Sequence, residues 1–205
     1  MKKWLLVLAM GTRVATAQST EPVAYRLDQA PVRLAPGIET AEAAIRALQQ
    51  RLSARLFEEM KKGGPTQAIA VCRDEASALT AETARTQGVS VGRTSQRLRN
   101  PGNTAPSWAT RFVEAAGGKK ATSVDALVLD LGDRVGVLRP ISTAAPCVQC
   151  HGAAERLSPE VRAFIKTAYP KDRATGFEEG DLRGFIWAEA PLGPAPWDSP
   201  VLSPS

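Results

Sequence analysis

The sequence predicts an α+β domain, and three observations predict it. The first half carries two long stretches whose apolar residues recur three or four apart, the spacing of amphipathic helices. The second half carries short alternating apolar runs bounded by Gly, Asp and Pro, as antiparallel strands do. Helical insertions interrupt those strands without any internal repeat, which fits helices packed on a sheet.

The elements follow in order. Lys2 and Lys3, the apolar run Trp4–Met10 and the small residues Ala15-Thr16-Ala17 form a secretory signal over 1–17, too short to span a bilayer; Arg13 is its one departure from pattern. Residues 18–37, with Pro22, Pro31, Pro36 and Gly37, read as an extended lead-in. Thr40 caps a helix over 39–62 that buries Ile45, Leu48, Leu52 and Leu56, and Gly63-Gly64-Pro65 stops it. A second helix, 66–86, aligns Ile69, Cys72, Ala76 and Leu79; Thr83 fades the stripe and Gly88 ends it. Val89 and Val91 alternate as a short strand, 93–106 is a polar loop, and Pro106–Ala116 is a short helix with Trp108, Phe112 and Val113. Ala126–Leu131 and Val135–Ile141 form an antiparallel hairpin about Gly132-Asp133-Arg134. Ser158-Pro159-Glu160 starts a helix with a capping serine, a first-turn proline and an acid at the positive end. Its buried face is Val161, Phe164, Ile165 and Ala168, and Tyr169-Pro170 stops it. Arg183–Ala190 is the last strand; 191–205 is a proline-rich loose tail, which leaves one domain over 38–190.

Composition narrows the function. The chain has 26 Lys+Arg and 21 Asp+Glu, but the leader holds Lys2, Lys3 and Arg13 and no acid, so the mature chain has 23 bases against 21 acids, a net +2. With no basic stripe interleaved with aromatics, a nucleic-acid partner is not expected. No later stretch is apolar enough for a membrane span once the leader is cleaved, so the expected location is the periplasm. Aromatic content is only 5%, a shortage that a large apolar cofactor would fit. Three cysteines is an odd set for an exported chain, so a disulfide framework is a poor explanation.

Cys147-x-x-Cys150-His151 carries the chemistry, and His151 is the only histidine. Two thiols a helical turn apart can meet two vinyl groups, and the adjoining imidazole can bind iron, so the motif points to one covalent haem c. Rival readings are a Cys₃His zinc site completed by Cys72, a redox dithiol, or structural cysteines. Export favours haem. The sixth iron position is open on residues alone: Cys72, Met60 (the only methionine after the leader) or water.

VCRDEA (71–76), VGRTSQRLRNPGNTAPSW (91–108), CVQCHG (147–152) and YPKDRATGFEEGDLRG (169–184) together resemble a family of exported single-haem c-type cytochromes with a PAS-like fold, best known from a cyanobacterial member. The resemblance spans about 40–190, with Thr104-Ala105-Pro106 a residue longer than the family loop. It implies a five-stranded antiparallel sheet with helices over one face, thioether attachment through Cys147 and Cys150, and axial ligation by His151 and Cys72, Met60 being the alternative to Cys72. Arg93, Arg97, Arg99 and Asn100 are candidate propionate contacts, and Tyr169, Asp172, Thr175 and Gly176 a turn closing over the haem edge. The function so implied is electron transfer or redox response. The alternative is a haem-based gas or redox sensor that switches ligand at Cys72 and signals through a separate partner. Enzymatic peroxidase-type chemistry is disfavoured, since no second histidine could serve as acid–base group. The expected partner is a redox or signalling protein, with a homodimer as one arrangement the fold allows.

Overall fold

The computed structural model describes residues 21–193; the leader read at 1–17, the start of the lead-in and the tail beyond 193 lie outside the described residues. The fold is α+β, as expected. Five strands, β1 (Val23–Arg26), β2 (Ser90–Thr94), β3 (Leu127–Asp130), β4 (Arg134–Ser142) and β5 (Leu182–Pro191), form one antiparallel sheet of order β1-β3-β4-β5-β2. The β3–β4 hairpin turns where Gly132 (φ 92°) supplies the left-handed residue and the Asp130 carboxylate accepts from its N–H. The lead-in is not extended throughout: β1 is paired at the sheet edge with β3, two short 3₁₀ turns follow, and the first helix already begins at Ala35, so that Thr40 lies inside it, donating to the Pro36 carbonyl, and does not cap it.

Helix α1 (Ala35–Asp74) is two helices in one run. Gly63 (φ −145°, ψ 16°) and Gly64 (φ 71°, ψ −164°) leave helical geometry, and Pro65 opens the second stretch. Arg55 and Glu75 would stand about 30 Å apart along a straight helix. Instead Arg55 Nε donates to the Glu75 carboxylate at 2.7 Å, so the chain reverses at the Gly-Gly break into an antiparallel helical hairpin. The second arm has a joint that apolar spacing did not signal: Glu75 (φ −110°) separates α1 from α2 (Ala76–Gln87), which Gly88 (φ 65°) terminates. Arg51 donates to Thr83 across the two arms.

The first arm of α1 lays Ala41, Ala44, Ile45 and Leu48 on Val91, Val128, Val135, Val137, Ile186 and Ala188 of the sheet, the main core. Burying side chains of this size is worth about 1.5–3 kcal/mol each. Arg139 donates to buried Glu42 at 2.6 Å and 2.8 Å, tying sheet to helix within that layer. The opposite face is covered too, unlike the one-sided cover the resemblance implied. Helix α3 (Thr110–Ala115) packs Val113 with Ala109 against Leu138 and Phe185. Trp108 meets Trp187 edge to face at 6.1 Å and donates to Glu189 at 2.9 Å. A Cβ at Gly136 would lie 3.0 Å from Trp108, which is why glycine stands there.

The connection between the central strands β4 and β5 holds the rest: the single turn α4 (Val148–His151) and helix α5 (Pro159–Ala168). Ser158 caps α5, accepting from the Val161 N–H, and Val161 and Ile165 bury against Ile69 of α1, Leu157 and Tyr169. Among the described residues no helix is long and apolar enough to cross a membrane.

Candidate functional site

The third small core brings the site together. Ile69, three residues before Cys72, packs with α5, and Cys150 borders the same cluster. The second arm of α1 and the C-x-x-C-H turn therefore meet over α5. Cys147 immediately precedes α4, Cys150 and His151 close its single turn, and the Gly152 N–H donates back to the Val148 carbonyl at 2.9 Å. A Cβ on Gly152 would sit 2.5 Å from that carbonyl, so the glycine after the motif is required by close approach. Cys72, Cys147 and Cys150 are free thiols, each half-buried. Among the described residues no three His, Cys, Asp or Glu side chains gather around one point, so the four candidate zinc ligands do not form a tetrahedral cage.

His151 is held as a ligand histidine should be. Its Nδ1 lies 2.7 Å from the Ala174 carbonyl, which can only accept; the proton is on Nδ1, and Nε2 keeps its lone pair. Burial, reinforced by Arg183 and Arg99, pushes its pKa well below the ordinary value, so the ring is neutral. Segment 174–177 wraps the turn: Gly176 N–H donates to the Gly152 carbonyl at 2.7 Å and Phe177 N–H to the His151 carbonyl at 2.9 Å. Phe177 meets the imidazole edge to face at 6.4 Å.

Arginines surround this turn, and they do different things. Arg99 is a buried clamp: it donates to the Cys150 carbonyl at 2.6 Å, to Ala174 at 3.3 Å and to Asp172 at 3.1 Å. Arg97 lies over the Phe177 ring at 4.2 Å and donates to the Arg173 carbonyl. The Asn100 side-chain oxygen accepts from the Gly102 N–H, a local turn bond. Arg93 shares the α1 face of its strand with Val91, by alternation, and its charge is felt at Cys72. Burial lowers its pKa, as burial lowers that of Arg183 to about 10. Arg183, which stands within 5.2 Å of the Phe177 ring, was not among the candidates read from sequence, although it lies in the 169–184 motif. Its Nε is buried without a hydrogen-bond partner among the described residues.

Burial raises the pKa of the Cys72 thiol, with Arg93, Arg99 and Arg183 pulling against it. Cys150 is pushed up to about 11 by burial, and the nearby Cys72 and Cys147 add to that. Tyr169, buried beside Cys72, is pushed up to about 12, first by burial. Met60 lies half-buried near the end of the first arm, and none of the interactions that tie the site together among the described residues involves it. Residues 169–176 do form a turn: Asp172 N–H donates to the Tyr169 carbonyl, the Asp172 carboxylate accepts from Ala174 N–H, and Gly176 has φ 78°. What the arrangement offers is two half-buried thiols beside a neutral imidazole, a third thiol close enough to be felt at Cys150, and two arginines, Arg93 and Arg183, with no carboxylate partner among the described residues. That donor set fits a planar iron macrocycle bearing two acid groups better than a bare metal ion.

The Tll0287-like family model matches residues 8–191. The crystal structure of the cyanobacterial heme-protein Tll0287 superposes with a TM-score of 0.52 at 25% identity, covering 79% of this chain and 96% of that one. No curated protein sequence matches significantly.

Proposed function

Because the chain belongs to the Tll0287-like family, we propose that it is an exported protein with one covalent haem c, acting in electron transfer or redox response in the periplasm. The observation that carries this reading is the His151 ring, fixed by Ala174 with Nε2 free, within the C-x-x-C-H turn; Cys72 stands near enough to Cys150 for its charge to be felt there. Cys147 and Cys150 would hold the haem through thioethers, and His151 and Cys72 would bind its iron. Arg93 and Arg183 would receive its propionates, with Arg97 beside them. When bound, the haem supplies a one-electron couple. The chain's own part is to keep the imidazole neutral and oriented, to press arginine charge towards Cys72, and to exclude water with Phe177 and Tyr169. A thiolate at the iron favours the ferric state, so a low potential is expected.

The test is expression with the leader in a host able to mature c-type cytochromes, followed by the pyridine haemochrome spectrum and intact mass. One covalent haem is expected, absent when Cys147 and Cys150 are both alanine. Colourless protein or bound zinc would overturn the reading. Cys72→Ser should change the ferric spectrum; no change would remove Cys72 from the iron.

The jointed helix carrying Cys72 favours a second reading, a redox- or gas-responsive module that signals through a separate partner. Reduced protein that shifts its Soret band with CO would select it over the carrier.

A further inference from the structure

The helical hairpin carries a feature that the haem reading does not use. Within Ala35–Asp74 the backbone leaves helical geometry at Gly63 and Gly64, and Gly64 sits in a region that essentially only glycine adopts. Such a joint by itself leaves the second arm free to swing. Polar side chains close across it instead. Arg55 on the first arm grips Glu75 with two bonds, 2.7 Å from Nε and 2.9 Å from Nη2. Its Nη1 holds Glu59 at 2.5 Å. Glu59, only 5% exposed, accepts from Gln67 of the second arm at 3.1 Å and from Lys62 at 3.0 Å. Gln67 and Glu75 stand on either side of Cys72 in sequence, five residues before and three after. The arm that bears the thiol is thus fastened at both ends to one guanidinium-centred cluster.

Surface ion pairs are ordinarily worth little, because two long side chains must be ordered in water. This cluster differs in two respects. The Arg55–Glu75 pair is two-pronged, the geometry in which an arginine–carboxylate contact is strongest. Glu59 is shielded and accepts three donors, so each member is ordered by the others.

We propose that Arg55 is a positioning residue for Cys72: its two-pronged pair with Glu75, backed by the Glu59–Gln67 bond, locks the second arm of α1 across the Gly63–Gly64 break and so fixes where the thiol stands relative to the His151 turn. The role for Cys72 rests on the proposed function; the lock itself does not. Lys at position 55 keeps the charge but cannot reproduce the two parallel bonds, so the grip and not the charge is what holds the arm.

The experiment measures alkylation of Cys72 by iodoacetamide in the full-length protein as purified, read by mass spectrometry of the peptide that contains Cys72. Arg55→Ala and Glu75→Gln are expected to speed labelling at least tenfold, with Arg55→Lys in between. Arg134→Ala, which removes a comparable pair with Glu189 across the sheet, is the control for general loosening and should leave the rate within twofold. Equal acceleration by Arg134→Ala, or none by Arg55→Ala, overturns the proposal. Glu75→Gln, the milder change, keeps the test open should Arg55→Ala not fold. In haem-loaded protein the same variants should alter the ferric low-spin spectrum. Unchanged labelling sinks the lock whatever the spectrum does, whereas faster labelling in colourless protein keeps the lock and sinks the haem reading.

Discussion

Replacing Arg99 with leucine tests whether the C-x-x-C-H turn is held by protein or only by what binds it. Arg99 and Asp172 are 9% and 8% exposed, so the pair is buried. Leucine fills most of the stem volume but leaves the Asp172 carboxylate with only the Ala174 N–H. Breaking a buried pair by removing one partner costs about 3–5 kcal/mol. The Cys150 carbonyl also loses its donor, about 1 kcal/mol more, while Ala174 keeps its bond from His151. A loss of about 4–6 kcal/mol corresponds to a fall in Tm of about 8–24 °C for a domain of this size. Asp172→Asn keeps the shape and an acceptor for Ala174 N–H, and should cost about half as much or less. The assay is urea unfolding followed by far-UV circular dichroism, on protein with and without bound haem. A loss below ~1 kcal/mol for Arg99→Leu would refute the clamp. A loss confined to the loaded protein would return Arg99 to the propionate role read from sequence.

Gly64→Ala meets open space on every side, so its cost is backbone strain alone, about 1–3 kcal/mol in the same unfolding assay. Glu59 is pushed down to about 2 by its bonds from Arg55, then Lys62 and Gln67. A carboxylate whose folded pKa is depressed stabilises the fold above its ordinary value and loses that contribution as pH falls, here through the window from about 4.5 to about 2. Glu59→Gln should therefore flatten the Tm-versus-pH curve across that window, and an unchanged slope would contradict it.

The two helices and the break between them were legible because their signals are local: Gly63-Gly64-Pro65 and Gly88 punctuate stripes such as Ile45, Leu48 and Leu52; their reversal into a hairpin was not, since it is fixed by Arg55 meeting Glu75 twenty residues on. The joint at Glu75 was not, since Ile69, Cys72, Ala76 and Leu79 keep helical spacing straight through it. Strand β1 escaped because four residues between prolines show too little alternation, and its partner β3 lies about a hundred residues away. The same distinction holds at the site. Cys147, Cys150 and His151 were readable from spacing within one turn. Phe177 and Arg183 reach that turn only because segment 174–177 folds back on it, and the Asp172 that takes Arg99 lies 73 residues further along. Charge was visible in the sequence; which charge would find a carboxylate was not.

That last point yields the sharpest electrostatic expectation. Among the described residues Arg93 and Arg183 have no carboxylate within ion-pair distance, whereas Arg99 has one. Burial lowers Arg183 to about 10, with Arg99 adding repulsion. A lowered arginine pKa means the charged form is destabilised in the fold, so removing the charge should stabilise the chain when nothing anionic is bound. At about 1.4 kcal/mol per tenfold change in proton affinity, the fall sets a ceiling of ~3 kcal/mol. The lost contact with Phe177 and the weak bond to the Arg97 carbonyl reduce it to about 1 kcal/mol, a rise of about 2–4 °C. In haem-loaded protein the sign should reverse, because an acid group facing Arg183 turns an uncompensated charge into a paired one. Arg183→Gln measured by thermal unfolding in both forms checks this. The same sign in both would mean that Arg183 faces no anion and that the second propionate contact lies elsewhere.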